Sequence, residues 1–274
     1  SGISQIDHDT WSVSLGSVYE LFESYNIGLS VGRSQRAPSL EELLASGPHL
    51  ATETFEIGDA NLGEEITSNI DFSLRRTAEA WSWKINLFAN YIEDYIFQQF
   101  QDTNGDGVAD RVDEDGVPGA GDLLLVRFEQ ENALFYGAEF ESTWHTVVNR
   151  NHIDIRLFGD VVRGILDNDE DIPRISPARV GLGFDFRRNR WGAKLDIINV
   201  FEQNDTAELE EGTGGYVMLN AGLSYTLPVR EADARFYLRG TNLLDRDARR
   251  HTSFLKERAP LPGRAAIAGI RLSF

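Results

Sequence analysis

Residues 66–75 read Ile66-Thr67-Ser68-Asn69-Ile70-Asp71-Phe72-Ser73-Leu74-Arg75. In steps of two they separate into Ile66, Ser68, Ile70, Phe72 and Leu74 against Thr67, Asn69, Asp71, Ser73 and Arg75. Successive side chains of a strand point to opposite faces, so this is a strand with one apolar and one polar face. The same period recurs at 25–32, 81–90, 136–144, 179–186, 217–226 and 265–274. Working outward from these segments predicts about eleven strands: 10–20, 23–33, 64–76, 80–99, 123–147, 152–166, 177–187, 190–203, 214–227, 233–245 and 264–274. Helical periodicity is nearly absent, and only 39–44 reads as a short helical turn within a loop.

The connections alternate in length. Short ones lie near 20–23, 77–79, 149–151, 188–189 and 228–232; long ones near 34–63, 100–122, 167–176, 204–213 and 246–263. A soluble sandwich or propeller has no reason to gather its long loops at one end. A barrel of the bacterial outer membrane does, with short turns facing the periplasm and long loops facing outside. Segments 80–99 and 123–147 exceed an ordinary strand. They suit a tilted strand of about 9–11 residues crossing the bilayer, plus an extension above it. Trp11, Tyr19, Tyr25, Trp81, Trp83, Trp144, Trp191 and Tyr225 sit near strand ends, as interfacial girdles do. The predicted fold class is therefore all-β, an antiparallel transmembrane β-barrel with lipid on its apolar face and a polar lumen.

Composition narrows the function. The 274 residues carry a formal charge of −18, no cysteine and 41% hydrophobic residues. The charge argues against nucleic acid, whose phosphates require a basic stripe. The missing cysteine excludes disulfide scaffolds and thiolate metal sites. No apolar run reaches the roughly 18 residues of a membrane-spanning helix, and the polar start at 1–5 shows no signal-peptide pattern. No G-x-S-x-G elbow, phosphate loop or dinucleotide fingerprint occurs in a suitable context, so no catalytic residues are assigned and an enzyme is not expected.

Several stretches resemble the C-terminal part of a TonB-dependent outer-membrane receptor. Arg36-Ala37-Pro38-Ser39-Leu40-Glu41-Glu42-Leu43 resembles that family's R-A-P-x-x-x-E-L run. Gly58-Asp59-Ala60-Asn61-Leu62, followed by Glu64 or Glu65, resembles G-N-P-x-L-x-x-E with Asp-Ala in place of Asn-Pro. Tyr136-Gly137-Ala138-Glu139 resembles Y-x-G-x-E with the glycine one place early. Asn242-Leu243-Leu244-Asp245-Arg246 resembles N-L-F-D-K/R, and Arg271-Leu272-Ser273-Phe274 resembles the terminal assembly signal. Gly47–Thr52 and His251–Lys256 look like the branch associated with zinc uptake.

The resemblance implies a 22-stranded barrel filled by an N-terminal plug that carries the TonB contact. On that reading residues 1–274 are one domain, the C-terminal half of the barrel, and TonB is reached only through a plug missing from this sequence. An odd strand count does not by itself make a closed bacterial barrel. The implied function is outer-membrane uptake of a metal ion (zinc) or a metal chelate of the iron-siderophore type. The alternatives are a self-contained small pore or calcium-stabilised surface barrel, and an outer-membrane hydrolase, which lacks an evident Ser/His pair.

Two sets of ligands stand out. Residues 102–113 match D-x-N-x-D-G-x-x-D-x-x-D, a calcium loop with oxygens from Asp102, Asn104, Asp106, the Val108 carbonyl, Asp110 and Asp113. Strands flank it, and its competing reading is a solvated acidic turn. The resemblance to the zinc-uptake branch raises His49, near Glu53, Glu56 and Asp59, as a ligand of transported Zn²⁺, with His251 as a second histidine. His145 and His152 flank a periplasmic turn, and His8 precedes the first strand without a motif.

Overall fold

The computed structural model describes residues 8–119, 121–229 and 232–274. Arg230 and Glu231, in the short connection expected at 228–232, lie outside the described residues, as does the 1–5 start. Fourteen strands and one helix follow in chain order: β1 (Ser12–Phe22), β2 (Tyr25–Arg36), α1 (Leu40–Leu44), β3 (Ser46–His49), β4 (Thr54–Ile57), β5 (Glu65–Arg76), β6 (Trp81–Phe100), β7 (Arg111–Val112), β8 (Leu123–Val148), β9 (Asn151–Leu166), β10 (Arg179–Arg188), β11 (Trp191–Val200), β12 (Tyr216–Val229), β13 (Ala232–Thr241) and β14 (Ala265–Ser273). Eleven of these form one antiparallel meander in the order β1-β2-β5-β6-β8-β9-β10-β11-β12-β13-β14. The all-β class expected from the alternation is what the chain adopts, and an open sheet of this size fits the partial barrel that the resemblance implies.

The two faces separate by register. Leu29, Phe72, Leu87, Ala138 and Val161 are cross-strand neighbours. One residue along lies the row Gly28, Ser73, Asn86, Glu139, Asp160 and Arg179. Leu29, Leu87 and Val161 each leave nearly half their surface uncovered by protein, as a lipid-facing skin does. At the short-turn end the aromatics join into a belt. Phe22 meets Tyr25 at 5.0 Å, Tyr25 meets Trp83 at 6.1 Å, Trp81 stacks on Trp144 at 6.0 Å and Trp191 meets Tyr225 at 4.8 Å. Arg76 lies over both Tyr25 and Trp81. Asn149 and Arg150 both take positive φ, 51° and 68°, the backbone of the two-residue hairpin turn that matches strand twist.

The sheet curls. Glu53, in the connection between β2 and β5, pairs with Arg258, in the connection between β13 and β14. Seven ladder steps separate β5 from β13, about 30 Å or more along the sheet. Curvature and the reach of the loops bring the two together. The polar face carries a hollow of about 680 Å³ lined in part by Lys194, Asp196, Asn220, Arg235, Tyr237 and Arg239. Among the described residues β1 and β14 have no partner on their outer edges.

Two glycines on the polar face have a packing reason. Gly137 lies opposite Phe88, whose ring would stand 2.5 Å from an added Cβ. Gly181 lies opposite Phe158, at 2.2 Å by the same measure. Phe88 interrupts the polar set of β6, and Gly137 supplies the flat backbone that its ring covers. This accounts for the glycine standing one place early in the Tyr136–Glu139 motif.

The buried core lies mainly beyond the amphipathic span. One cluster joins Leu43, Leu62, Ile96 and Phe128, a second Phe55, Val112, Leu123 and Leu125, and a third Phe97, Ala133, Leu166 and Ile172. All belong to the long connections or to the strand ends beside them. Here three elements differ from the sequence reading. β3, β4 and β7 lie inside connections expected to be loops, because strands of four and two residues are too short to show a period. They form on the extended top of β8: β4 runs parallel to 124–127 and β7 pairs with 123–124. Leu123 and Leu125 are buried in the second cluster, and Val126 and Phe128, on the alternate face, are buried too, so with both faces covered Leu123–Val126 is continuously apolar.

Candidate functional site

The first long connection is built on a small ionic frame. Arg36, at the top of β2, donates from Nε to Glu65 at 2.5 Å and from Nη1 and Nη2 to Glu42 at 2.9 and 3.1 Å. Ser39 caps α1 and Glu42 returns the bond to the Ser39 amide at 2.6 Å, a capping box. Burial raises the Glu42 carboxyl, but the bonds from Arg36 and Ser39 outweigh it and hold it below the usual range. Arg36, Ser39 and Glu42 come from one family-like motif and Glu65 from the next, so the motifs encode the frame that fixes α1 over the barrel rim.

On this frame Glu41 of α1 faces the β3–β4 hairpin. Glu41, His49 and Glu56 each offer one ligand atom within 4.8 Å of the others. His49 Nδ1 stands 3.0 Å from Glu56 Oε1, and the Thr54 hydroxyl donates to the same oxygen at 3.1 Å. Glu56 is 4% exposed, whereas Glu41 opens to solvent. One imidazole and two carboxylates suit a borderline cation such as Zn²⁺. Among the described residues this is the group of three His, Asp or Glu side chains so arranged.

The structure brings together two of the four residues read as ligands of a transported ion. His49 and Glu56 meet; Glu53 turns instead to Arg258, and His251 lies in a separate buried cluster. Glu41 was missed. It lies eight residues before His49, and its approach depends on α1 folding over the hairpin; the carboxylate at 41 was in view, its direction was not. Asp59 accepts bonds from Asn61 and stays apart from His49. His145 pairs with Asp154 at 2.9 Å near the short turn, and His8 with Glu64 at 3.2 Å.

The calcium-loop residues form a tight hairpin tip. Asp102 accepts from the amides of Gly105, Asp106 and Gly107 at 2.7, 3.2 and 2.8 Å. Bonding from the Gly107 amide foremost holds the Asp102 carboxyl below its usual range against the opposing effect of burial, and the other two amides add to it. Asn104 accepts from the Asp106 amide and Asp106 from the Val108 amide. Gly107 has φ of 81°, the left-handed turn expected at the sixth position. Asp110 turns inward to the Thr103 amide and hydroxyl, and Asp113 caps the following turn through Asp115 and Val117.

A second cluster gathers under the last connection. Glu210 and His251 have wholly buried side chains, and Lys256 is nearly so. Lys256 Nζ donates to Glu210 at 2.8 Å, and His251 Nε2 stands 3.4 Å from the same carboxylate. His251 Nδ1 is 3.1 Å from the Thr213 hydroxyl. Burial first, and Lys256 second, push the His251 imidazole below its ordinary value, against the pull of Glu210.

On the polar barrel face, charges pair across strands and, for Lys194 with Asp196, along β11. Arg179 meets Asp160 at 2.6 Å, Arg187 meets Asp154 at 2.9 Å, and Arg156 and Lys194 approach Asp196 at 3.6 and 3.5 Å. Such a wall suits a watery or protein-filled lumen and not lipid.

Residues 2–243 match the family described as TonB dependent receptor-like, beta-barrel. Solved structures share the fold. The copper transporter OprC aligns at 17% identity with a TM-score of 0.72, over 95% of this chain and 39% of that one. The siderophore receptor PirA from Acinetobacter baumannii aligns at 15% identity and 0.62, over 95% and 40%. A mutant of the ferric enterobactin receptor PfeA from Pseudomonas aeruginosa aligns at 12% and 0.61, again over 95% and 40%. The chain spans about two-fifths of the length of these proteins.

Proposed function

The chain belongs to the TonB-dependent receptor-like β-barrel family, and we propose that it forms the wall and outer loops of an outer-membrane receptor importing a metal ion, with zinc as that ion. The observation that carries the zinc reading is the Glu41–His49–Glu56 group in the first outer connection. There it captures the cation outside the membrane, and the polar lumen wall leads inward. Coupling to TonB runs through a plug belonging to the whole receptor. The names of the similar structures span copper and siderophores, so metal or metal-chelate uptake is the broader reading and zinc the narrower one. We propose further that residues 102–113 bind Ca²⁺ and stiffen the β6–β8 hairpin, on the strength of the D-x-N-x-D-G pattern and the left-handed Gly107.

The test is accumulation of radioactive zinc by cells carrying the complete receptor. His49→Ala combined with Glu56→Gln lowers it by about tenfold or more at equal receptor level. Unchanged zinc accumulation, with import of a ferric chelate instead, overturns zinc and leaves the family and the barrel standing.

A further inference from the structure

The connection at 242–264 touches every other long connection. Arg258 pairs with Glu53 and approaches Asp122 to 3.9 Å. Phe254 lies edge-on to Phe100 with centroids 6.4 Å apart, and its ring lies 4.0 Å from the Arg174 guanidinium. Lys256 and His251 meet Glu210 and Thr213. These partners come from 37–64, 100–122, 167–178 and 201–215. A segment tied both to the first connection and to the last strands crosses the outer mouth of the curved sheet.

The ties differ in kind. Arg258 and its partners are exposed, and such pairs hold little in water. Glu210 is buried and collects the Arg174 amide on both oxygens at 3.1 Å, the Ala207 amide at 3.3 Å and the Lys256 ammonium at 2.8 Å. One carboxylate therefore holds three connections. The Arg174 side chain, also largely enclosed, has an Nη1 without a hydrogen-bond partner and leans on Phe254 and the Glu210 charge. A buried ammonium held by one anion is intolerant of half-measures: removing the anion leaves its charge uncompensated, and the cation moves to water. Lys256 cannot leave while its neighbours stay as they are.

We propose that residues 242–264 are a strap across the outer mouth, fastened on Glu210, that opens all-or-none and carries the 167–178 connection with it.

The test uses the receptor in the outer membrane of intact cells. This chain has no cysteine, so in a receptor cleared of any cysteine elsewhere, Ala248→Cys on the strap or Ile172→Cys on the 167–178 connection reports opening through a membrane-impermeant maleimide. Ala248 is 0% and Ile172 1% exposed. Glu210→Gln, and separately Lys256→Gln, is expected to speed labelling at both sites by at least about tenfold and by similar factors, in receptors that still run as folded barrels on a gel. Labelling that stays slow at Ala248→Cys in both variants overturns the fastening. Acceleration at Ala248→Cys with Ile172→Cys still protected overturns the single unit. A Glu210→Gln receptor that no longer folds leaves the decision to Lys256→Gln, which keeps the carboxylate and the backbone amides on it.

Discussion

Asn242 gives the sharpest quantitative handle on how the last connection is closed. It is 2% exposed. Its Nδ2 donates to the carbonyls of Arg246 at 2.9 Å and Pro262 at 3.1 Å, and its Oδ1 accepts the Arg246 amide at 2.9 Å. Its φ is 48°, a left-handed backbone that asparagine tolerates and alanine does not. Asn242→Ala removes three bonds worth about 1 kcal/mol each. It adds about 1 kcal/mol of backbone strain. The closed loop then loses about 4 kcal/mol, and opening rises by roughly three orders of magnitude. Asn242→Gly loses the same bonds without the strain, so its effect is about 3 kcal/mol, roughly a hundredfold. The assay is amide hydrogen exchange at Leu261, bonded to the Ala248 carbonyl at 2.7 Å, and at Arg264, bonded to Asp245 Oδ1 at 2.8 Å, in receptor held in its membrane. The ordering of Ala above Gly above native is the essential result. Equal exchange in Gly and Ala refutes the backbone argument, and exchange within threefold of native in both refutes the claim that Asn242 closes the loop.

Three further outcomes follow from the same geometry. His251 is held neutral by burial, so the fastened strap binds a proton less readily than the released one; fastening is complete above the ordinary histidine value of about 6.5 and weakens as pH falls below it. Maleimide labelling of Ala248→Cys should therefore rise between neutrality and pH 5, and a flat profile contradicts the assignment. Leu87→Arg, mid-strand on the lipid side, should destabilise the barrel by about 2–4 kcal/mol in a bilayer unfolding assay, whereas Ser73→Arg on the polar face should change it little; equal losses would falsify the face assignment. Calorimetry with millimolar Ca²⁺ should show heat that disappears in Asp102→Ala with Asp106→Ala; no heat in the native chain removes the calcium proposal.

Much of the fold was legible because its signal is local. The eleven meander strands came from a period of two, and their ends fell close to those in the structure. The connections at 149–151 and 188–189 announced themselves by turn residues. β3, β4 and β7 were hidden, since they form only where β8 offers an edge. The family-like motifs were readable as strings, but their work was not. Arg36, Ser39, Glu42 and Glu65 turn out to be one frame, and Asn242 with Asp245 one closure. At the candidate metal site the histidine and one carboxylate were in view. Glu53 and His251 were read as ligands as well, and nothing within a few residues of either signals that Arg258 and Glu210 would engage them.

The sequence by itself determined the barrel class, the number and order of the long strands, which face meets lipid and which end bears the long loops. Each follows from alternation and turn chemistry within about a dozen residues. The tertiary structure alone decided which loop residues meet. Glu53 finds Arg258 across 205 residues because the sheet curls. Glu41 reaches His49 because Arg36 and Ser39 seat α1 there. Lys256 and His251 share Glu210 because three connections fold over one buried volume, where a charge must find its partner. Periodicity fixes a wall; the closing of its mouth depends on contacts between distant segments that no local pattern carries.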